Sequence, residues 1–144
     1  MLDPIQFALI PAHVTLCRED ELEDLPAETL RQRLAAAPAR PVVLTFGAAE
    51  PFSTHGILLP CIDGEEGFHA LRQLVLGTST ARRASPHITL AHPRNPKAAG
   101  NRLAAASTLV IGMQIRFGVV SRIRQEEGHG PWQITEQFDL SPAR

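Results

Sequence analysis

An α+β protein built from two lobes about a shared cleft, related by a pseudo-two-fold axis, is the fold this sequence predicts. Three observations predict it. One tetrapeptide pattern occurs twice, as His13-Val14-Thr15-Leu16 and His87-Ile88-Thr89-Leu90. Each copy is followed by a helix-like stretch and then by two strand-like ones, so residues 10–60 and 85–140 read as two β-α-β-β units. The chain has 144 residues and suits one compact domain. A chain of this size buries roughly 70% of its unfolded surface, so folding needs no disulfide or metal. The two lobes of that single domain, 1–144, fall at 1–62 and 63–144.

The elements follow in order. Ile5 to Ile10 is apolar and leads through Pro11 into His13–Leu16, which alternates like a strand. Leu22, Leu25, Leu30 and Leu34 fall near helical spacing. Pro26-Ala27-Glu28 reads as the opening turn of a helix reaching about Ala37, which Pro38 and Pro41 end. Pro41–Phe46 reads as a strand, and His55–Leu59 as the next, closed by Pro60. Glu65–Gly77 is a helix with Phe68, Leu71, Leu74 and Val75 on one stripe and Gly77 as its stop. Ser85–Leu90 is a short strand and Pro93–Pro96 a turn. Lys97 to about Ala106 reads as a third helix, weakened by Gly100. Met113–Arg124 carries the pattern of one long strand, Gln125–Gly130 a turn, and Trp132–Leu140 the last strand.

Composition narrows the function. Hydrophobic residues make up 44% and charged residues 20%, which excludes a disordered chain, a collagen and a coiled coil. No apolar run approaches the ~18 residues of a membrane span, and Met1-Leu2-Asp3-Pro4 does not open a signal peptide, so the cytoplasm is the expected compartment. Cys17 and Cys61 are too few for a disulfide framework and lack metal-ligand spacing. Net charge is −1, so the broad positive field of a non-specific nucleic-acid binder is missing. Thirteen of the fourteen basic residues are Arg, whose planar fork matches the oxygens of a single phosphate. Genome composition is the simpler source of that bias.

The repeated tetrapeptide carries the chemistry. With six His, nine Thr and 17 Leu, chance supplies only about 0.05 His-x-Thr-Leu matches, and a pair is rarer still. In a strand, residues i and i+2 share a face. His13 and Thr15 therefore point together, opposite Val14 and Leu16, and His87 and Thr89 do the same, opposite Ile88 and Leu90. Two imidazoles and two hydroxyls lining one opening suit phosphate-ester chemistry. A neutral His takes a proton from water and a protonated His gives one to the leaving oxygen. Histidine's unperturbed pKa, about 6.5, lets both forms coexist near neutrality. Threonine hydroxyls donate to non-bridging phosphate oxygens, whose charge grows in the transition state. No metal or other cofactor is expected. A half-buried His and a Thr chosen for β-propensity would explain one such tetrapeptide; a symmetric pair favours function.

The paired motifs, with their flanks Leu9–Leu16 and Ser85–Pro96, resemble the 2H phosphoesterase superfamily, and within it the 2′-5′ RNA ligase-like, or 2′,3′-cyclic phosphodiesterase-like, proteins. The resemblance implies two antiparallel sheets flanked by helices around a central cleft. It implies metal-independent action on 2′,3′-cyclic phosphate ends of RNA or nucleotides, giving 2′-phosphates, and reversible 2′-5′ ligation. By the same resemblance His13 is the proton donor, His87 the acceptor, and Thr15 and Thr89 the phosphate clamps. Members of that family carry a strand and a helix ahead of the first motif. The resemblance therefore implies a shortened first lobe, with a sheet edge open to pairing in a monomer or a homodimer.

Other residues are candidates on weaker grounds. Arg18, Arg124 and Trp132 are the chosen substrate contacts; Arg94, Arg122 and Phe52 also qualify, while Phe46 and Phe117 sit in strand patterns and read as core. His92 reads as a turn residue and Cys17 as core. The expected partner is an RNA end or a small cyclic nucleotide, with no membrane. Two alternatives stand beside the enzyme. One is a non-catalytic module binding nucleotides or RNA ends. The other is a zinc hydrolase built from the six His, although neither Cys-x-x-Cys nor His-Glu-x-x-His occurs.

Overall fold

Asp3 and Pro4 start the chain on a helix rather than on the apolar lead-in expected for residues 5–10. The Asp3 carboxylate accepts the Gln6 amide at 2.9 Å, and Pro4 occupies the first turn, where its missing N–H costs nothing. The helix, α1 (Pro4–Leu9), stops at Ile10 because the residue before Pro11 is pushed into an extended conformation. In this computed structural model residues 2–36, 39–97, 102–106, 108–128 and 130–140 are described.

Two helices follow the first motif. The short α2 (Glu19–Leu22) is fixed by the Arg18 amide donating to the Glu21 carboxylate at 2.8 Å. The expected helix after Pro26 is α3 (Ala27–Ala36), which buries Leu30. Strand β1 (Val42–Phe46) alternates between core and outside, with Val42, Leu44 and Phe46 inside. A three-residue strand with no clear periodicity of its own, β2 (Glu50–Phe52), forms a hairpin with β3 (Gly56–Asp63). Pro60 was expected to close β3, yet the strand runs through it. The Pro60 carbonyl accepts the Gly47 amide at 2.9 Å, so the side of Pro60 that lacks a donor faces the break between β1 and β2, where no ladder bond is lost.

The next helix, α4 (Glu65–Leu76), runs as its stripe predicts and buries Phe68, Leu71 and Val75. Gly64 opens it at φ +98°, where a Cβ would lie 2.1 Å from the Val43 carbonyl oxygen. The second motif forms β4 (His87–Ala91). In place of the third helix, a single 3-10 turn spans Leu103–Ala106; residues 98–101 of that expectation lie outside the described residues. The long strand expected over 113–124 is broken at Gly118 into β5 (Met113–Phe117) and β6 (Val119–Gln125), and β7 (Trp132–Asp139) ends the fold. Gly118 already presents its carbonyl to the Leu140 amide at 2.8 Å, extending the β6-β7 ladder by one residue.

The result is α+β with two antiparallel sheets. The larger has the order β2-β3-β1-β5, with β4 on the free edge of β3, and β6-β7 is a separate hairpin. The break at Gly118 lets β5 pair with β1 while β6 turns to β7. Strands from both halves of the chain thus share the larger sheet. The core lies between that sheet, α3 and α4: Leu44, Phe46, Leu59, Phe68, Leu71, Val75 and Ile88 form one cluster. Phe46 and Phe117 meet edge to face with centroids 6.5 Å apart, which makes both of them core. No described helix is long and apolar enough to cross a membrane.

Gly64, which caps α4, and Gly67, within its first turn, should respond in opposite directions. Gly64→Ala forces a side chain into the left-handed region against a backbone oxygen and should cost about 1–3 kcal/mol. Gly67→Ala, whose Cβ meets nothing closer than Val42 Cγ1 at 4.0 Å, should stabilise by up to ~1 kcal/mol. Urea denaturation of the pair against wild type reads both signs.

Candidate active site

The two motifs meet through one antiparallel bridge, Val14 to Ile88. Ile88 is buried, and Val14 packs against the same core. Both apolar side chains therefore point inward, and alternation turns their neighbours to the open face. Continuing the register one residue each way sets His13 opposite Thr89 and Thr15 opposite His87. Directly opposed side chains have Cβ atoms about 4.5–5.5 Å apart and diagonal ones about 7–8 Å. The two His thus occupy one diagonal of a small quadrilateral and the two Thr the other. A two-fold axis through the bridge relates the halves.

The imidazoles repeat that symmetry in their hydrogen bonds. His13 Nδ1 lies 2.8 Å from the Pro11 carbonyl oxygen, and His87 Nδ1 lies 2.9 Å from the Ser85 carbonyl oxygen. A carbonyl can only accept, so each Nδ1 carries the hydrogen. Each Nε2 is left as the working nitrogen, accepting when the ring is neutral and donating when it is protonated. The backbone two residues upstream fixes both tautomers and both ring planes. The carbonyl of the intervening Pro86 accepts the Cys61 amide at 3.0 Å, which ties the approach to the second motif to β3.

The strand beside β4 extends the open face. Leu58 pairs with Thr89 and Pro60 with His87, so these two side chains make an apolar margin along the quartet. Gly56 shares their side of β3, and its partner on β2 is Phe52. The Phe52 ring covers Gly56 so closely that a Cβ there would lie 2.5 Å from Cε1. Phe52 therefore stands on the same face as His87 and Thr89.

The remaining candidates are dispersed. Arg124 lines a polar hollow of about 530 Å³ on the β6-β7 hairpin, with Gln125, Glu126, Gln133 and Thr135. Trp132 is half-buried and pairs with Gln125 in that hairpin. Arg18 is exposed, its Nε 3.4 Å from Asp20. No hydrogen bond or ion pair among the described residues links these three side chains to the quartet. Arg122 is used structurally, donating to the Leu25 carbonyl at 3.1 Å. Cys17 is a core thiol: burial pushes it up to about 11, only partly offset by Arg72, and it is inert at neutral pH. Among the described residues no three His, Cys, Asp or Glu side chains converge as a metal site would require. His129 lies outside the described residues.

One supporting residue was missed in the sequence. Asp3, 4% exposed, caps α1 and also accepts the His92 amide at 3.0 Å and the Asn95 side-chain amide at 3.1 Å. It anchors the loop that leaves the second motif. Asp3-Pro4 is a helix-start signal, but its long-range partners leave no trace in sequence spacing. Burial alone would raise the Asp3 carboxyl, yet the hydrogen bonds from Gln6, His92 and Asn95 outweigh it and hold it below the usual carboxylate range. His92, a turn residue as expected, accepts both the Arg94 amide and its Nε–H at Nδ1. Burial, reinforced by the Arg94 charge, keeps its pKa below 6.5.

The first motif, expected as a strand, joins the fold through the single Val14 bridge, while the second forms β4, and the two put a His and a Thr each on one open face of a two-sheet α+β fold. The model of the 2′-5′ RNA ligase superfamily matches residues 2–110, and the chain belongs to that superfamily. No curated protein matches it significantly.

The loop anchored by Asp3 should weaken in acid. The folded pKa of His92 is depressed, so its contribution is complete above the unfolded value of 6.5 and is lost as pH falls through the folded value. The melting temperature should therefore drop below about pH 6.5, and His92→Gln should flatten that limb. Asp3 adds a second loss at lower pH, as its depressed carboxyl is protonated; Asp3→Asn should abolish it and lower stability at pH 7. Thermal melts from pH 8 to 3 check both.

Proposed function

We propose that this protein opens 2′,3′-cyclic phosphodiesters at the ends of RNA or on nucleotides, leaving 2′-phosphates without a metal. The observation that carries the reading is the quartet itself. Two imidazoles lie on one diagonal with both Nδ1 atoms held by backbone carbonyls. A phosphate seated between the diagonals has one Nε2 on the side of the attacking water and the other on the side of the leaving oxygen.

His87 Nε2 removes a proton from water as the water oxygen bonds to phosphorus. The bond from phosphorus to O3′ breaks, and His13 Nε2–H delivers its proton to O3′. The products are a 2′-phosphate and a free 3′-hydroxyl, and the two imidazoles return to their starting states through solvent. Thr15 and Thr89 donate hydroxyl hydrogens to the non-bridging oxygens, where negative charge accumulates. With a 5′-hydroxyl in place of water, the same steps run as 2′-5′ ligation. Phe52, on the open face over Gly56, offers a ring for the base of a substrate nucleotide.

Hydrolysis of the four nucleoside 2′,3′-cyclic monophosphates in EDTA, followed by phosphorus NMR, tests this reading. Wild type should yield the 2′-phosphate. His13→Ala and His87→Ala should each lose about 10²–10⁴ in rate. The wild-type pH profile should be bell-shaped, with one limb per imidazole; a flat profile between about pH 5 and 8 overturns the mechanism. Tight binding without product over hours would favour the binding module instead. Phe52→Ala should raise KM for cyclic nucleotides and leave that for ribose 2′,3′-cyclic phosphate, which has no base, unchanged.

A further inference from the structure

The largest side chain that the fold buries completely is a cation, Arg72 on α4, 1% exposed. Its first terminal nitrogen donates to the Leu16 carbonyl and to Glu21 Oε2 at 3.1 Å. Its second donates to Glu21 Oε1 at 2.7 Å and to the Arg82 carbonyl at 2.8 Å. Four N–H groups thus reach three separate segments. Leu16 is the last residue of the first motif. Arg82 lies three residues before Ser85, whose carbonyl holds His87. Glu21 belongs to α2, which follows the first motif. The Arg72 guanidinium, with desolvation opposing it, holds the Glu21 carboxyl below its usual range, so the pair stays charged at neutral pH.

Among the described residues the backbone contact between the two motifs is one isolated bridge, Val14 to Ile88. We infer that Arg72 is a positioning residue for the two-histidine reaction, its guanidinium gripping the trailing end of the first His-x-Thr segment and the approach to the second and so setting the separation of His13 and His87. The inference rests on the function proposed above. A fork is needed because the three acceptors lie in different directions. Lysine at 72 brings a charge but not two nitrogens in a fixed plane, and cannot satisfy all of them. Because a shift of about 1 Å in a reacting group can cost 10²-fold in rate, loosening this grip should act on turnover more than on binding.

The test compares Arg72→Lys with Leu71→Ala, a core truncation at the neighbouring position that lowers stability and leaves the Arg72 hydrogen-bond partners in place. Both are assayed where urea titration shows them folded. Arg72→Lys should lose roughly 10- to 100-fold in kcat with KM within about threefold, while Leu71→Ala keeps the wild-type kcat per folded molecule. Equal kcat in the two variants overturns the inference. An activity-independent readout is NMR of the His13 and His87 imidazoles during titration with inorganic phosphate. Wild type should show both rings responding at one dissociation constant. In Arg72→Lys the two rings should respond separately, each at its own phosphate concentration. If wild type turns over no cyclic phosphate yet this difference appears, the catalytic reading fails and the positioning role stands; an unchanged titration overturns the role. Should Arg72→Lys not fold, Glu21→Asp, which draws the carboxylate back by one methylene, is measured in the same two ways. A kcat loss or a split phosphate response beyond that of Leu71→Ala supports the grip, and neither effect overturns it.

Discussion

The antiparallel bridge between Val14 and Ile88 is the contact on which the rest of the site depends. It puts two apolar side chains into the core and, by the alternation of extended backbone, leaves two His and two Thr outside. The register is strongly specified because a slip of one residue would invert every side chain. Ile88 would surface, forfeiting the roughly 1.5–3 kcal/mol that full burial of such a side chain contributes, and an imidazole would enter a core that offers it no partner. The hydrophobic effect thus holds a polar constellation in place without touching it.

A bridge of one residue pair is a thin join, and the fold braces it from both ends. At the N-terminus, Asp3 binds the loop that leaves the second motif, so α1 and β4 cannot separate without exposing a buried carboxylate. Beneath the motifs, Arg72 binds Leu16, Glu21 and Arg82 at once. The Arg72–Glu21 pair differs in kind from Arg31–Glu28 and Arg83–Glu66, whose side chains are more than half exposed. Exposed pairs are worth about 0–1 kcal/mol, whereas removing one partner of a buried pair costs about 3–5 kcal/mol because the other charge is stranded. The buried pair does not make the fold more stable than apolar packing would. Its distinguishing property is direction, since it links the end of the first motif, α2 and the lead into β4 in one fixed geometry.

Much of the site was legible because its code is local. Alternation in His13–Leu16 and His87–Leu90 assigns faces without tertiary information, and the stripe of Phe68, Leu71 and Val75 identifies α4 and its buried side. Missed features had non-local causes. Gly118 breaks what reads as one strand, because continuous β periodicity cannot say where a chain changes partners. Pro60 sits inside β3, because only the position of β1 and β2 shows that its donorless side faces a gap. Phe52 gained a place on the open face through its pairing with Gly56, a register that a three-residue strand does not announce.

Local spacing is enough to pick out the residues of the quartet and to put each His on a face with its Thr, since both follow from a period of two along the chain. Which residues stand opposite one another belongs to the tertiary fold: His13 lies across from Thr89 rather than from His87, and a buried arginine joins the two motifs. Those two facts depend on which backbone lies beside which, and with what register. Such choices are settled by packing between residues more than fifty positions apart, where no local periodicity reaches.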